Sequence, residues 1–100
     1  MAAYVLVDVT VHDPEDYTAY RLQSGATVAA YGGRYLARGG AVEVLEGDAQ
    51  PGRVVVLEFP SAAQARAWWD SPEYSAIKPI RQRSSTTNLL IVEGYVPDPA

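Results

Sequence analysis

The distribution of apolar residues along the chain constrains its fold most strongly. Residues 4–11 alternate, with four valines on one side of a strand and more polar residues on the other. Residues 54–57 and 89–92 are apolar at every position, as in strands that are covered on both faces. A strand that begins at Arg34 meets two glycines at residues 39–40, where the backbone can bulge. Strands are therefore predicted over residues 4–11, 34–45, 53–59 and 87–96.

Helix-start and helix-stop signals separate these strands. Asp13 and Pro14 suit the N-cap and the first position of a helix, and the glycines at residues 32–33 end it. Ser61 begins a second helix that reaches Asp70. The order β-α-β-β-α-β predicts an α+β, ferredoxin-like fold with a four-stranded antiparallel sheet.

The segment between the second helix and the last strand contains two prolines. A short helical turn is predicted over residues 71–74, where Ser71 precedes Pro72. Pro79 lacks the backbone N–H that a helix interior needs, so residues 75–83 are predicted to be kinked or broken.

Length and composition limit the class of protein. The 100 residues predict one domain spanning residues 1–100, with a core from about 3 to 96 and a frayed tail at 97–100. A net charge of −4 argues against nucleic acid as a partner. The absence of cysteine excludes disulfides and thiol catalysis. We expect no leader and no bilayer-spanning run, and therefore a soluble, cytoplasmic protein with no membrane partner.

The sheet is predicted to have two apolar faces, but two helices can cover only one of them. An apolar face left uncovered is a common site of self-association. We therefore expect the chain to form a homodimer in which the two sheets pack face to face.

Isolated charges interrupt the apolar strands. Asp8 lies opposite the valines of its strand, Arg34 and Arg38 share a face by strand parity, and Glu58 and Glu93 end the third and fourth strands. A charge on a buried face is costly unless it is paired. These side chains either form a polar pocket at the sheet interface or are structural ion pairs and strand-end charges, and the sequence leaves both readings open.

Within the pocket interpretation, each candidate residue has an expected role. Arginines can hold a carboxylate or an enolate, and a carboxylate or histidine can move a proton. The candidate ligand-binding residues are Arg34, Arg38, Glu58 and Tyr74. The candidate catalytic residues are Asp8, Glu93 and His12.

His12 is the single histidine of the chain, and it lies at a strand–helix junction where exposed polar residues are common. One histidine and scattered acids provide no pair of ligands at helical spacing, so no metal site is predicted. The glycine pairs lack the strand–Gly-x-Gly-x-x-Gly–helix order of a dinucleotide site. No cofactor is therefore expected.

Several segments together resemble a known family. They are Asp-Pro-Glu-x-Tyr (13–17), Tyr-Gly-Gly-Arg-Tyr-Leu-Ala-Arg-Gly-Gly (31–40), Val-Leu-Glu-Gly (44–47), Glu-Phe-Pro-Ser (58–61), Ser-Pro-Glu-Tyr (71–74) and Ile-Val-Glu-Gly (91–94). In combination they are similar to the small bacterial family called domain of unknown function 1330. The chain departs from the family's usual pattern at residues 11–12 and 78–79, which alter the edges of the expected pocket.

The resemblance implies a ferredoxin-like fold of the dimeric α+β barrel group, whose members include cofactor-free monooxygenases, muconolactone-isomerase-like enzymes and chlorite-dismutase-like haem proteins. No histidine lies where it could ligate haem iron on the third or fourth strand or on the second helix. The family has no assigned activity, so two functions stay open. The chain either binds a small anionic metabolite at the sheet interface or is a cofactor-free isomerase or monooxygenase-like enzyme acting on an enolisable or acidic small molecule.

Overall fold

Four antiparallel strands form one sheet in the order β2-β3-β1-β4, and three helices pack on one of its faces. The structure, a computed structural model, describes residues 1–97; the end of the predicted frayed tail, 98–100, lies outside them. The elements are β1 (Ala3–Val11), α1 (Pro14–Ala30), β2 (Arg34–Arg38), β3 (Arg53–Phe59), α2 (Ala62–Trp69), α3 (Pro72–Ser84) and β4 (Ser85–Glu93). The predicted α+β order is confirmed, with an additional helix before β4.

The core lies between the helices and one face of the sheet. The valines of β1 alternate into this face, and β3 adds Leu57 and Phe59 beside them. The helices cover these side chains with Val28, Trp68 and Tyr74, all of which are buried. The strands thus have a helix-facing side and an open side, and the latter carries exposed Leu6, Leu90 and Val92.

The helix ends follow the capping signals. Asp13 accepts a hydrogen bond from the backbone N–H of Asp16, and Ser61 accepts one from Gln64. At the end of α1, Gly32 has a φ of +79°, a backbone conformation that favours glycine. These contacts confirm the predicted starts of the first two helices and the stop at residues 32–33.

Of the two alternatives predicted for residues 75–83, kinked or broken, the broken helix is wrong, because α3 continues from Pro72 to Ser84 with Pro79 inside it. Ser71 caps this helix by accepting a hydrogen bond from Tyr74 N. The helix is anchored by the burial of Tyr74, Ile77 and Arg81 against the core. Pro79 itself is exposed, so the carbonyl that it leaves without a helical partner lies on the side that water can reach.

The prediction that the second strand resumes through residue 45 is also wrong. Its last ladder contact is the hydrogen bond from Gly39 N to Val54 O, and Gly39 has a φ of +72° that turns the chain away from β3. Residues 41–45 then run without strand pairing inside the described part of the chain. Val42, Val44 and Leu45 are exposed along this arm.

No helix within residues 1–97 is both long and apolar enough to pass through a bilayer.

Candidate functional site

A small cavity lies between α1 and the helix-facing side of the sheet. Its walls are mostly apolar or aromatic, and the space open to the centre of a water molecule is about 30 Å³. That is enough for a water molecule or one small polar group. The lining residues used below are Tyr20, Ser24, Tyr35, Arg38, Arg53 and Arg81.

The charges around the cavity are all positive. Four arginines border it, Arg21, Arg38, Arg53 and Arg81, and none of its lining residues is an acid. Arg81 is 4% exposed, yet none of the ion pairs found among residues 1–97 includes it. A guanidinium stays protonated at any physiological pH, so Arg81 is a buried cation without a carboxylate partner in the described chain.

Arg81 is held by two tyrosines. Its Nε donates to the Tyr74 hydroxyl at 3.1 Å, and the Tyr74 and Tyr20 hydroxyls share a hydrogen bond of 2.9 Å. Burial raises the pKa of Tyr20 far above its ordinary value of 10, so its phenol is neutral throughout the physiological range. Both phenols are proton donors, and these hydrogen bonds connect them to one fixed positive charge, the Arg81 guanidinium.

A β-bulge places Arg38 at the cavity. Arg34 lies opposite Glu58 and Tyr35 opposite Leu57, but the register then shifts so that Arg38 lies opposite Val55 on the helix-facing side. The prediction that Arg34 and Arg38 share a face is therefore wrong, because one extra residue at the bulge reverses strand parity.

The Arg38 side chain is oriented by α1 and by its own strand. Its Nη2 donates to the Arg21 carbonyl at 2.7 Å and to Ser24 Oγ at 3.3 Å, and its guanidinium lies 4.2 Å from the centre of the Tyr35 ring. The Tyr35 hydroxyl in turn lies 3.1 Å from Ser24 Oγ. Arg38 thus forms part of the mouth of the cavity in a defined orientation.

Arg53 enters the cavity wall beneath the turn at Gly39. A side chain on Gly39 would collide with the Arg53 guanidinium, so the glycine makes room for it as well as turning the chain. Arg53 Nε is buried and has no hydrogen-bond partner within residues 1–97. A second cationic donor of the cavity is therefore also left without a protein acceptor.

The other sequence-predicted residues lie elsewhere. On the open side of the sheet, Arg34 forms an ion pair of 2.7 Å with Glu58, and Asp8 accepts a hydrogen bond of 2.9 Å from Gly52 N. Glu93 is exposed at the end of β4, on the same side of the sheet as its partner Ala3. The five candidate strand charges therefore do not converge on one face of this chain.

His12 lies at the far end of β1, where its Nε2 is 2.6 Å from Thr86 Oγ1. Of the seven candidates, Arg38 borders the cavity and Tyr74 joins it through Tyr20 and Arg81. Among the described residues, no three histidine, aspartate or glutamate side chains come together in a way that could hold a metal ion.

Sequence reasoning missed Arg81, Arg53 and Ser24. The signal for Arg81 was its spacing from Tyr74 and Ile77, which follows the i, i+3, i+7 pattern of one helix face. The expected break at Pro79 hid that pattern. Arg53 begins a predicted strand, but nothing in the sequence fixes the direction in which its side chain points.

Solved structures of low sequence identity share this fold. A protein of unknown function from Rhodopseudomonas palustris matches with a TM-score of 0.76 at 24% identity, over 96% of this chain and 84% of that one. SnoaB, a cofactor-independent oxygenase from Streptomyces nogalater, matches with a TM-score of 0.64 at 14% identity, over 99% and 98% of the two chains.

A dimeric protein of unknown function with a ferredoxin-like fold, from Bacteroides fragilis, matches with a TM-score of 0.55 at 11% identity, over 93% of this chain and 96% of that one. The predicted ferredoxin-like fold is confirmed by this similarity. No curated protein matches the chain in sequence. The model of the family described as Domain of unknown function (DUF1330) matches residues 2–95, and the chain belongs to that family.

Proposed function

We propose that this protein binds a small anionic metabolite whose anionic group enters the cavity between α1 and the sheet. The observation that carries the proposal is Arg81, a buried guanidinium with no carboxylate partner among residues 1–97. Burying a charge without a counter-charge costs several kcal/mol, in order of magnitude, even after the protein relaxes. An anionic ligand supplies the missing counter-charge.

The other cavity residues support the same ligand class. Arg38 and Arg53 add two more guanidiniums, and Ser24 and Tyr20 add hydroxyl groups. The absence of acids among the lining residues leaves no internal competitor for these donors. The proposed site thus lies on the helix-facing side of the sheet, whereas the sequence placed it between two sheets.

The test is the stability of the protein in the presence of benzoate, a small monoanion. A ligand that binds the native state stabilises it by about 2.7 kcal/mol at one hundred times its dissociation constant. We expect benzoate to raise the unfolding midpoint of the wild type, and Arg81→Met to abolish that increase. Arg83→Met is the matched control, since Arg83 lies on the same helix and is exposed. Equal stabilisation of both variants, or none in the wild type, contradicts the proposal.

We further propose that the chain is a homodimer whose open sheet sides face each other. The open side carries Leu6, Leu90 and Val92, and Leu36 at the bulge and the arm at residues 41–45 add further exposed apolar side chains. Large apolar patches on a protein surface mark interaction sites. The Bacteroides fragilis protein of the same fold is dimeric, which favours a second copy as the partner.

A pair of leucines provides the test of this dimer. Leu90 is 52% exposed on the open side of the sheet, and Leu22 is 73% exposed on α1. We expect Leu90→Glu to yield monomers in analytical ultracentrifugation, because it buries a charge in the interface, and Leu22→Glu to leave the dimer intact. A wild-type monomer at all concentrations overturns the proposal.

The second candidate function is cofactor-free catalysis on an enolisable acid. The specific observation in its favour is the chain of hydrogen bonds from Tyr20 through Tyr74 to Arg81, since a guanidinium can stabilise an enolate that forms when water removes a proton from carbon, and a neutral phenol can donate a proton back to it. SnoaB shares the fold, which is an analogy and not a transfer of activity. The test is acceleration of carbon-bound proton exchange of a β-diketone in D₂O, with Arg81→Met as the inactive variant.

A further inference from the structure

A second and larger opening reaches Arg81 from outside. A cleft of about 360 Å³ lies beside β4, an edge strand of the sheet. It is bordered by Trp69, Gln82, Ser85, Thr87, Arg81 and Leu89. Arg81 and Leu89 also border the inner cavity. These two side chains therefore form the partition between a small inner space and a larger outer one.

The free edge of the Arg81 guanidinium is not satisfied by the protein. Its Nε donates to the Tyr74 hydroxyl and the guanidinium also interacts with Tyr20, but no carboxylate of residues 1–97 pairs with its terminal nitrogens. Among residues 1–97, the buried side-chain nitrogen without a hydrogen-bond partner is Arg53 Nε. The terminal nitrogens of Arg81 are not in that class, so they are not sealed from solvent. Two parallel N–H groups form the fork that binds a carboxylate through both oxygens.

We propose that the anion is the carboxylate of a planar, unsaturated molecule that enters through this cleft and lies beside Trp69. The inference rests on the proposed function and names its ligand class and its path. Ligand pockets commonly enclose about 300–1,000 Å³, a range that the cleft reaches and the inner cavity does not. The carboxylate binds the Arg81 fork at the partition, and the body of the molecule occupies the cleft.

The wall of the cleft fits a planar anion. Trp69 provides an aromatic surface, and the Lys78 amine lies 3.8 Å from the centre of the Trp69 ring. No acid borders the cleft, while Gln82 and Thr87 offer uncharged hydrogen-bonding groups. A flat ring therefore finds Trp69 as an aromatic neighbour and the Arg81 guanidinium as positive charge, without a repelling carboxylate in the wall of the cleft.

The path is tested with phenylglyoxal, a planar aromatic reagent that modifies guanidinium groups, with peptide mapping of each arginine. We expect Arg81 to be modified in the wild type in spite of its burial, and Thr87→Tyr to slow this by about tenfold. Thr86→Tyr is the matched control, because Thr86 points to the opposite side of the same strand. The rate at Arg38 should not change in either variant.

Two results overturn the path. In the first, Arg81 remains unmodified while Arg38 reacts, which would mean that the cleft admits no planar molecule. In the second, Thr87→Tyr leaves the rate of Arg81 modification unchanged, which would mean that the reagent reaches Arg81 by another path. Neither result depends on any anion binding, so a failure of the path is distinct from a failure of the proposed function.

The ligand class is tested by protection of Arg81 in the same assay. Benzoate should protect Arg81 more strongly than acetate or the non-planar cyclohexanecarboxylate, and Trp69→Leu should remove that advantage. Equal protection by the three anions refutes the planar class but leaves anion binding intact. No protection by any of them, with Arg81 still reactive, contradicts the proposed function itself.

Discussion

The Tyr74 hydroxyl joins two parts of the site, and its removal has an effect that the structure allows us to calculate. Tyr74→Phe loses one hydrogen bond to the Tyr20 hydroxyl and one from the Arg81 guanidinium. A neutral hydrogen bond contributes about 0.5–1.5 kcal/mol and one to a charged group about 1.5–3 kcal/mol. The sum is a destabilisation of about 2–4.5 kcal/mol. The ring itself stays, so its packing against Trp68, 4.1 Å between centroids, is retained.

Tyr20→Phe is the matched comparison. It loses the hydrogen bond to Tyr74 but leaves the Arg81 bond in place, so we expect a cost of about 0.5–1.5 kcal/mol. The two variants therefore differ by the contribution of the charged bond. Urea unfolding at one fixed protein concentration measures both, since the stability of the proposed dimer depends on concentration.

The result that refutes this reasoning is equal destabilisation by Tyr74→Phe and Tyr20→Phe. It would mean that cavity water replaces Tyr74 as the partner of Arg81 Nε at no cost, and that the tyrosine pair does not hold the guanidinium. A larger loss in Tyr74→Phe, accompanied by loss of benzoate stabilisation, supports both the contact and the site.

Two further predictions concern the core and the surface. Gly33→Ala should lower the free energy of unfolding, measured in urea, by about 1–3 kcal/mol, because the added Cβ would lie 2.6 Å from the buried Phe59 ring. Gly40 has open space around it, so Gly40→Ala should show no such loss. Equal effects of the two substitutions refute the packing argument. The hydrogen bond from Arg83 lowers the pKa of Asp16 below its ordinary 3.8. Asp16→Asn should therefore be less stable than the wild type above about pH 4, and this difference should vanish as the pH falls through the lowered pKa of Asp16. Unfolding measured across pH tests this, and a difference that persists in acid contradicts it.

The order of strands and helices could be predicted because local signals agree with one another. Alternation fixed the faces of β1, and Asp13, Ser61 and Gly32 marked helix ends by chemistry that acts within a few residues. The extent of β2 could not be predicted in the same way. A strand needs a partner, and whether residues 41–45 have one is decided by where the chain goes after Gly39.

The site was harder to predict than the fold because it depends on two local departures from regularity. The bulge in β2 moves Arg38 to the side opposite Arg34, and strand parity can give the right face only when the register is continuous. The unbroken α3 carries Arg81 to the core, although Pro79 predicts that the helix ends before it. The bulge changes the face of the sheet on which Arg38 lies, and the continuous α3 changes the element on which Arg81 lies.

The charge pattern of the sequence drew attention to the open side of the sheet, whereas the site that we propose lies on the helix-facing side. The charges that alternation assigned to the open side are satisfied there, Arg34 by Glu58 and Asp8 by Gly52 N. A satisfied charge needs no ligand. Two cations without an ion-pair partner among residues 1–97, the buried Arg81 and the partly buried Arg53, lie on the helix-facing side among apolar residues, where an unpaired cation is costly. The place where the described chain leaves buried positive charge unbalanced is therefore the place where we propose that an anion binds.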